Sequence, residues 1–139
     1  MVTNDSSILA LDIGTVRIGV AVATAVARLP RPLTTLAADE HFTEQLRQII
    51  DSQSATSLVV GLPRSLEGTD TDQTRLVRAF VTSWETVIGL PVTYQDEALS
   101  SARAKAELIA HGKPFQKADV DALAATFILE DYLLQDSAA

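Results

Sequence analysis

ILALDIGTVRIGVAVA, residues 8–23, is a run of small and aliphatic side chains interrupted by one carboxylate, Asp12, and one cation, Arg17. It reads as a strand over 7–12, a turn at Gly14–Thr15 and a second strand over 17–24. The connection is too short for a crossover helix, so the two strands pair as an antiparallel hairpin. Everything around Asp12 belongs inside a protein, and an acid placed there needs a reason.

Outward from this hairpin, ARLPRPLTTL (27–36) predicts a third strand. Pro30 and Pro32 remove two ladder donors and assign it to an edge. From Asp39 to Gln53 the period becomes helical, with Phe42, Leu46, Ile49 and Ile50 on one stripe. TSLVVGL (56–62) is a continuous apolar strand of the kind buried on both faces. A polar loop, PRSLEGTDTD, leads to a helix over 72–88 whose expected stripe is Leu76, Val77, Phe80, Val81, Trp84, Val87 and Ile88. LPVTYQ (90–95) predicts the next strand, and 100–112 a helix stopped by Gly112. The last helix is expected over 119–134, with Val120, Leu123, Ala124, Phe127 and Ile128 buried and QDSAA as a loose tail. The order βββαβαβαα gives an α/β fold with a mixed five-stranded sheet. Its first three strands are antiparallel, the fourth and fifth run parallel to the first, and helices cover both faces.

The 139 residues suit one domain, taken as 1–139, with a sizeable core. Apolar residues make up 47% and charged residues 21%, the balance of a globular rather than a disordered chain. No apolar run is long enough to span a bilayer, and MVTNDSS lacks the features of a signal peptide, so no membrane and a cytoplasmic setting are expected. With no Cys, disulfides, thiolate zinc sites and Cys nucleophiles are excluded. The net charge of −7 opposes a nucleic-acid partner at long range.

Function in such sheets gathers at the carboxyl ends of the parallel strands. Asp12 closes the first strand, and Asp96 and Glu97 close the strand from Leu90. Asp121 sits near the start of the last helix, at the margin of its stripe, with Ala124 and Ala125 allowing close approach to the sheet. Converging carboxylates repel unless a cation neutralises them. With no Cys and only His41 and His111, hard oxygen ligands dominate and point to Mg²⁺ or Mn²⁺. Two such ions could activate water and stabilise the leaving oxygen in phosphodiester cleavage. Each acid also has a bland explanation: Asp12 capping the Gly14–Thr15 turn, Asp96 or Glu97 capping the next helix, Asp121 complementing a helix dipole.

LALDIGTVRIGVAVA, VVGLPRSLEGTDTDQT, YQDEALSSARA and VDALAATFILEDYL occur in the order and spacing of the YqgF family, also called RuvX. The resemblance runs roughly from Ile8 to Leu133. It implies an RNase H-like fold and a metal-dependent nuclease, the family being described as maturing the 5′ end of the small-subunit ribosomal RNA precursor or resolving Holliday junctions. By position it implies Asp12, Glu97 and Asp121 as catalytic acids and metal ligands, with Asp96 orienting the site. Thr15, Arg17, Gly61, Pro63, Gly68, Thr69 and Gln73 match its loop positions, where glycines let the backbone approach a phosphate and Arg17 adds a charge-assisted contact. Val16 stands where a Lys is common, Thr24 replaces a frequent acid, and GKPFQKAD is less basic than in many relatives. Arg64 follows GLP where an apolar residue is usual, and is expected to compensate for Val16 as a substrate contact.

LDIGT also resembles the phosphate loop of actin-like kinases, but those enzymes close two domains on a nucleotide and this chain supplies one. A non-catalytic module on RNA polymerase or a ribosome precursor would suit the acidic charge, but not three buried acids. In EGTDTDQT, Thr69, or Asp70 with Gln73, makes a capping box. Asp70 is expected to cap, and the Gly68–Thr69 backbone to meet substrate. Nucleic acid, as rRNA precursor or branched DNA, is the expected partner, with a homodimer left open. The expected reaction is in-line attack by metal-activated water, leaving a 3′-hydroxyl and a 5′-phosphate.

Overall fold

In the computed structural model, which describes residues 6–97 and 100–138, the opening hairpin forms as expected. β1 (Ser7–Ile13) and β2 (Arg17–Thr24) pair antiparallel with Asp12 opposite Gly19. β3 (Arg31–Ala37) adds antiparallel to β2, with a register shift between Val20 and Ala21. It starts four residues later than expected. Arg28 adopts φ 55° in the turn, its N–H bonded to the Thr24 carbonyl, so the chain is still reversing where the strand was expected. β4 (Ala55–Leu62) lies parallel to β1, and β5 (Val92–Asp96) parallel to β4, giving the order β3-β2-β1-β4-β5. β5 begins at Val92 rather than Leu90, because Gly89 turns at φ 77° and Pro91 has no N–H to give.

α1 (Phe42–Gln53) begins after Asp39, whose carboxylate and carbonyl take the N–H groups of His41 and Phe42 in a preceding turn. α2 (Asp72–Ile88) is capped by Thr71, not by Thr69 or Asp70. Thr71 and Thr74 exchange side-chain to backbone bonds, and the Thr74 hydroxyl also donates to the Pro63 carbonyl, tying the helix start to the end of β4. Leu76 and Val87 are exposed, so the true stripe of α2 is Thr74, Val77, Val81 and Trp84, flanked by Phe80 and Ile88. α3 (Ser100–His111) ends at Gly112, φ 71°, as expected. α4 (Lys117–Ala138) begins two residues earlier than expected, because Asp119 accepts the Gln116 N–H at 2.8 Å and closes its first turn. Nor is its end a loose tail: the helix continues, and Arg28 reaches Asp136 at 3.0 Å.

Helices cover both faces. α1 and α2 pack on Leu9, Leu11, Ile18, Val20, Leu58 and Val60, with Phe42, Phe80 and Trp84 in mutual ring contact. The opposite face is Ala10, Ala21, Ala23 and Val59, covered by Ala125, Ile128, Leu129 and Leu133 of α4. Ala124 and Ile128 of the expected α4 stripe are buried, but the other three residues are not. Val120, Leu123 and Phe127 are only half-buried, because α4 meets the sheet through Ala125, Ile128, Leu129 and Leu133, while Leu123 and Phe127 line a cavity shared with Leu108 of α3.

Candidate functional site

One row across the sheet organises the site. Thr35 pairs with Gly19 and Gly19 with Asp12. Leu11 pairs with Val60, so Asp12 lies beside Gly61, and Gly61 pairs with Gln95. α4 is laid along this row. The Thr35 hydroxyl donates to the Ala118 carbonyl at 2.7 Å, the Asp121 carbonyl rests on Gly19, and Ile128 rests on Gly61. One helical turn rises ~5.4 Å and neighbouring strands lie ~4.8 Å apart, so α4 advances about one turn per strand and crosses them instead of running along them. Both glycines are required by this approach. A Cβ on Gly19 would stand 1.9 Å from the Asp121 carbonyl oxygen, and one on Gly61 2.3 Å from Ile128 Cδ1.

The three expected acids fall on or beside this row. Asp12 is half-buried at its centre. Asp121, on α4 over β2, is gripped by Arg17, Nε to Oδ2 2.6 Å. Glu97 follows β5, its N–H bonded to the Leu62 carbonyl at 2.9 Å, and is half-buried. Its carboxyl is pushed up to about 7, first by burial, then by a hydrogen bond to Asp131 and the charges of Asp131 and Asp12, with Arg103 opposing. Glu97 thus lies in the field of Asp12 while leaning on Asp131, and Asp121 leans on Arg17. Among the described residues no three His, Asp or Glu side chains are arranged to hold a metal ion.

Asp131 was not foreseen. It joins Glu97 to Arg103, whose Nη1 lies 3.6 Å from Asp131 and whose guanidinium stacks 4.1 Å over Phe127. Its spacing could have revealed it, since it stands three residues after buried Ile128 and seven after buried Ala124, both on the sheet side.

Other expected contacts have different employment. Asp96 is turned away from Glu97 and pairs with Arg64 at 3.1 Å, so it does not orient that carboxyl. Arg64 is also held by Asp70 at 2.9 Å, an arrangement that ties the loop after β4 to β5. Asp70 is therefore an ion-pair partner, not the helix cap. Gly68 and Thr69 donate their backbone N–H groups to the Ser65 carbonyl and hydroxyl, so neither amide is free for a phosphate. Thr15 lines a shallow hollow with Gln73 on the α2 side of the sheet, away from α4.

The raised Glu97 carboxyl predicts a pH effect. Its folded value exceeds its ordinary one of 4.5. The stability associated with its proton is therefore complete below about pH 4.5 and lost as pH rises through about 7. Glu97→Gln imitates the protonated form. In chelator, the variant should melt ~4 °C above the parent at pH 8, corresponding to about 1 kcal/mol after allowance for solvent screening, with no gain at pH 4. Equal melting temperatures at pH 8 would mean that Glu97 is an ordinary solvated carboxylate.

The family described as RuvX, Holliday junction resolvase, matches residues 6–135. A "Putative pre-16S rRNA nuclease" of Chloroflexus aurantiacus is 40% identical over 134 residues, covering 94% of this chain and 88% of that protein. One of the same name from an Anaeromyxobacter species is 37% identical over 129 residues, covering 90% and 94%. Among solved structures, Thermus thermophilus RuvC superposes with TM-score 0.54 at 13% identity, covering 94% of this chain and 96% of that one. The same protein in complex with Holliday junction substrate gives 0.53 at 14% identity, with the same coverage. The RNase H-like sheet expected from the sequence is borne out by this likeness.

Proposed function

Because the chain belongs to the RuvX family of nucleases, we propose that it hydrolyses phosphodiester bonds with a divalent cation, and that its substrate is the 5′ region of the small-subunit ribosomal RNA precursor. The observation that carries the reading is Glu97, a half-buried carboxyl whose proton is retained to about pH 7 between Asp131 and Asp12. The one cation acting on it, Arg103, is shared with Asp131 and does not offset the burial and the neighbouring carboxylates. The donors around it are carboxylate oxygens, a set that fits Mg²⁺ or Mn²⁺. Asp12, Glu97 and Asp121 would hold the metal, although among the described residues they do not converge on one point: Glu97 leans on Asp131 and Asp121 on Arg17. When bound, the metal would lower the pKa of water and stabilise the leaving oxygen.

The chain's own residues supply the rest. Asp12, fixed between the two glycine positions of the row, is the shared centre. Arg17 balances Asp121 through Nε, and its terminal nitrogens, which make no hydrogen bond among the described residues, are donors suited to a phosphate. α4 covers the row and limits the access of water to it. Residues 1–139 acting as one nuclease domain in the cytoplasm complete the reading. Among the described residues no helix is long and apolar enough to cross a membrane.

The test is an assay of the pure protein with Mg²⁺ or Mn²⁺ against precursor ribosomal RNA, single strands and a four-way DNA junction. Cleavage of the precursor that chelator abolishes is the expected result. Cleavage confined to the junction would move the substrate to branched DNA. Binding without cleavage of any substrate would overturn the enzyme in favour of a docking module.

A further inference from the structure

Resting on the nuclease reading, we propose that the cavity between α3, the 112–116 connection and α4 receives an unstacked base from a single-stranded part of the substrate. The cavity holds about 470 Å³ and is walled by Leu108, Pro114, Phe115, Leu123 and Phe127, with Pro32 of β3 at its edge. An apolar slot with aromatic walls suits a base released from its stack, whereas a duplex presents no free base face.

Charge identifies the occupant as a polyanion. The chain is acidic overall, yet the segment between residues 102 and 118 carries Arg103, Lys105, Lys113 and Lys117 and one acid, Glu107; of the four cations Arg103 is engaged, with Asp131. Elsewhere most cations are already engaged: Arg17, Arg28, Arg47, Arg64 and Arg75 in ion pairs, Arg78 over Tyr94. Lys113 lines the cavity, Lys117 opens the helix that forms its wall, and Arg31 precedes Pro32. None of these three has an ion pair among the described residues. The two acids of the lining are tied locally, Glu107 to His111 at 3.1 Å and Asp119 to the Gln116 N–H. Uncommitted positive charge therefore collects around one apolar slot.

The slot is also close to the acids. Ala122 in its wall follows Asp121 directly, and Asp119 lies two residues before it. Less than one helical turn, ~5.4 Å along the axis, separates the wall from the row. A base seated here would hold a neighbouring phosphate at the Arg17–Asp121 end.

Binding is measured in chelator, so that cleavage plays no part, using a short fluorescein-labelled RNA as single strand and as duplex. Phe115→Ala should weaken single-strand binding about tenfold, the effect of losing one base stack, and leave duplex binding unchanged. Phe115→Trp should bind like the parent, with its indole emission quenched by the RNA. Lys113→Glu, a change at an exposed residue, should weaken both forms. Single-strand binding by Phe115→Ala equal to the parent's, or lost equally for single strand and duplex, overturns the proposal. So does a dimer of this chain that Phe115→Ala dissolves, since the slot would then be filled by a second copy. A parent that cleaves nothing yet shows Phe115-dependent binding removes the nuclease reading and keeps the slot. Cleavage with Phe115-independent binding does the reverse.

Discussion

Asp12→Asn is expected to lower metal-dependent cleavage by about 10³-fold or more, ~4 kcal/mol of transition-state stabilisation, with the protein still folded. Asp12 stands opposite Gly19 and beside Gly61, and these two positions carry no side chain that could replace its carboxylate. Glu97 and Asp121 approach from either side of it, so neither can take over the shared position. The substitution is close to isosteric and removes one of the charges that raise the Glu97 carboxyl. The Glu97 titration should therefore move down from about 7 toward its ordinary 4.5, detectable by carboxyl resonances over a pH series. A variant keeping more than about a tenth of parental cleavage would show that Asp12 is dispensable, and the site would have to be sought elsewhere.

Gly19→Ala should be the most destabilising single methyl addition in the sheet. The new Cβ meets the Asp121 carbonyl oxygen at 1.9 Å and its carbon at 2.2 Å. These are backbone atoms, so no rotamer change relieves the contact and α4 must lift from β2. Overpacking of this kind costs about 3 kcal/mol or more, a melting temperature lower by ~10 °C or more. Gly61→Ala is the matched control. Its Cβ meets Ile128 Cδ1 at 2.3 Å, the end of a side chain that can turn, although Ile128 is fully buried. That change should cost about 1–2 kcal/mol. Gly19→Ala should also lose cleavage at temperatures where it remains folded, because Asp121 rides on the displaced helix. Similar melting temperatures for the two variants would contradict the seating of α4 on β2.

The hairpin, the parallel arrangement of β1, β4 and β5, and the positions of Asp12 and Glu97 at strand ends were legible because short continuous apolar runs and short connections leave few alternatives. Helix faces were less legible. Leu76 and Val87 read as core by periodicity, but α2 lies against only one side of the sheet and its stripe is narrower than its hydrophobic content. On α4 Ala124 and Ile128 were legible, but Val120, Leu123 and Phe127 also read as core, whereas the close approach at Gly19 and Gly61 seats Ala125, Ile128, Leu129 and Leu133 on the sheet. Arg64, Asp70 and Asp96 lie far apart in sequence and meet only when the β4 loop folds beside β5, so their mutual engagement had no local sign. The same holds for Glu97 and Asp131. A pattern of residues along one helix could suggest that Asp131 faces inward, but not which acid it would meet.

The crossing of all five strands by α4 also has a consequence in time. A ribosome delivers the chain from its N-terminus, so the sheet is made before the helix that spans it. A growing chain that has just completed β5 holds Asp12 and Glu97 but has not yet made Asp121, and its alanine-lined face is still bare. Such an intermediate is prone to association and, on the reading above, unable to cut. Docking of α4 would then cover the hydrophobic face and bring Asp121 to the row in one event.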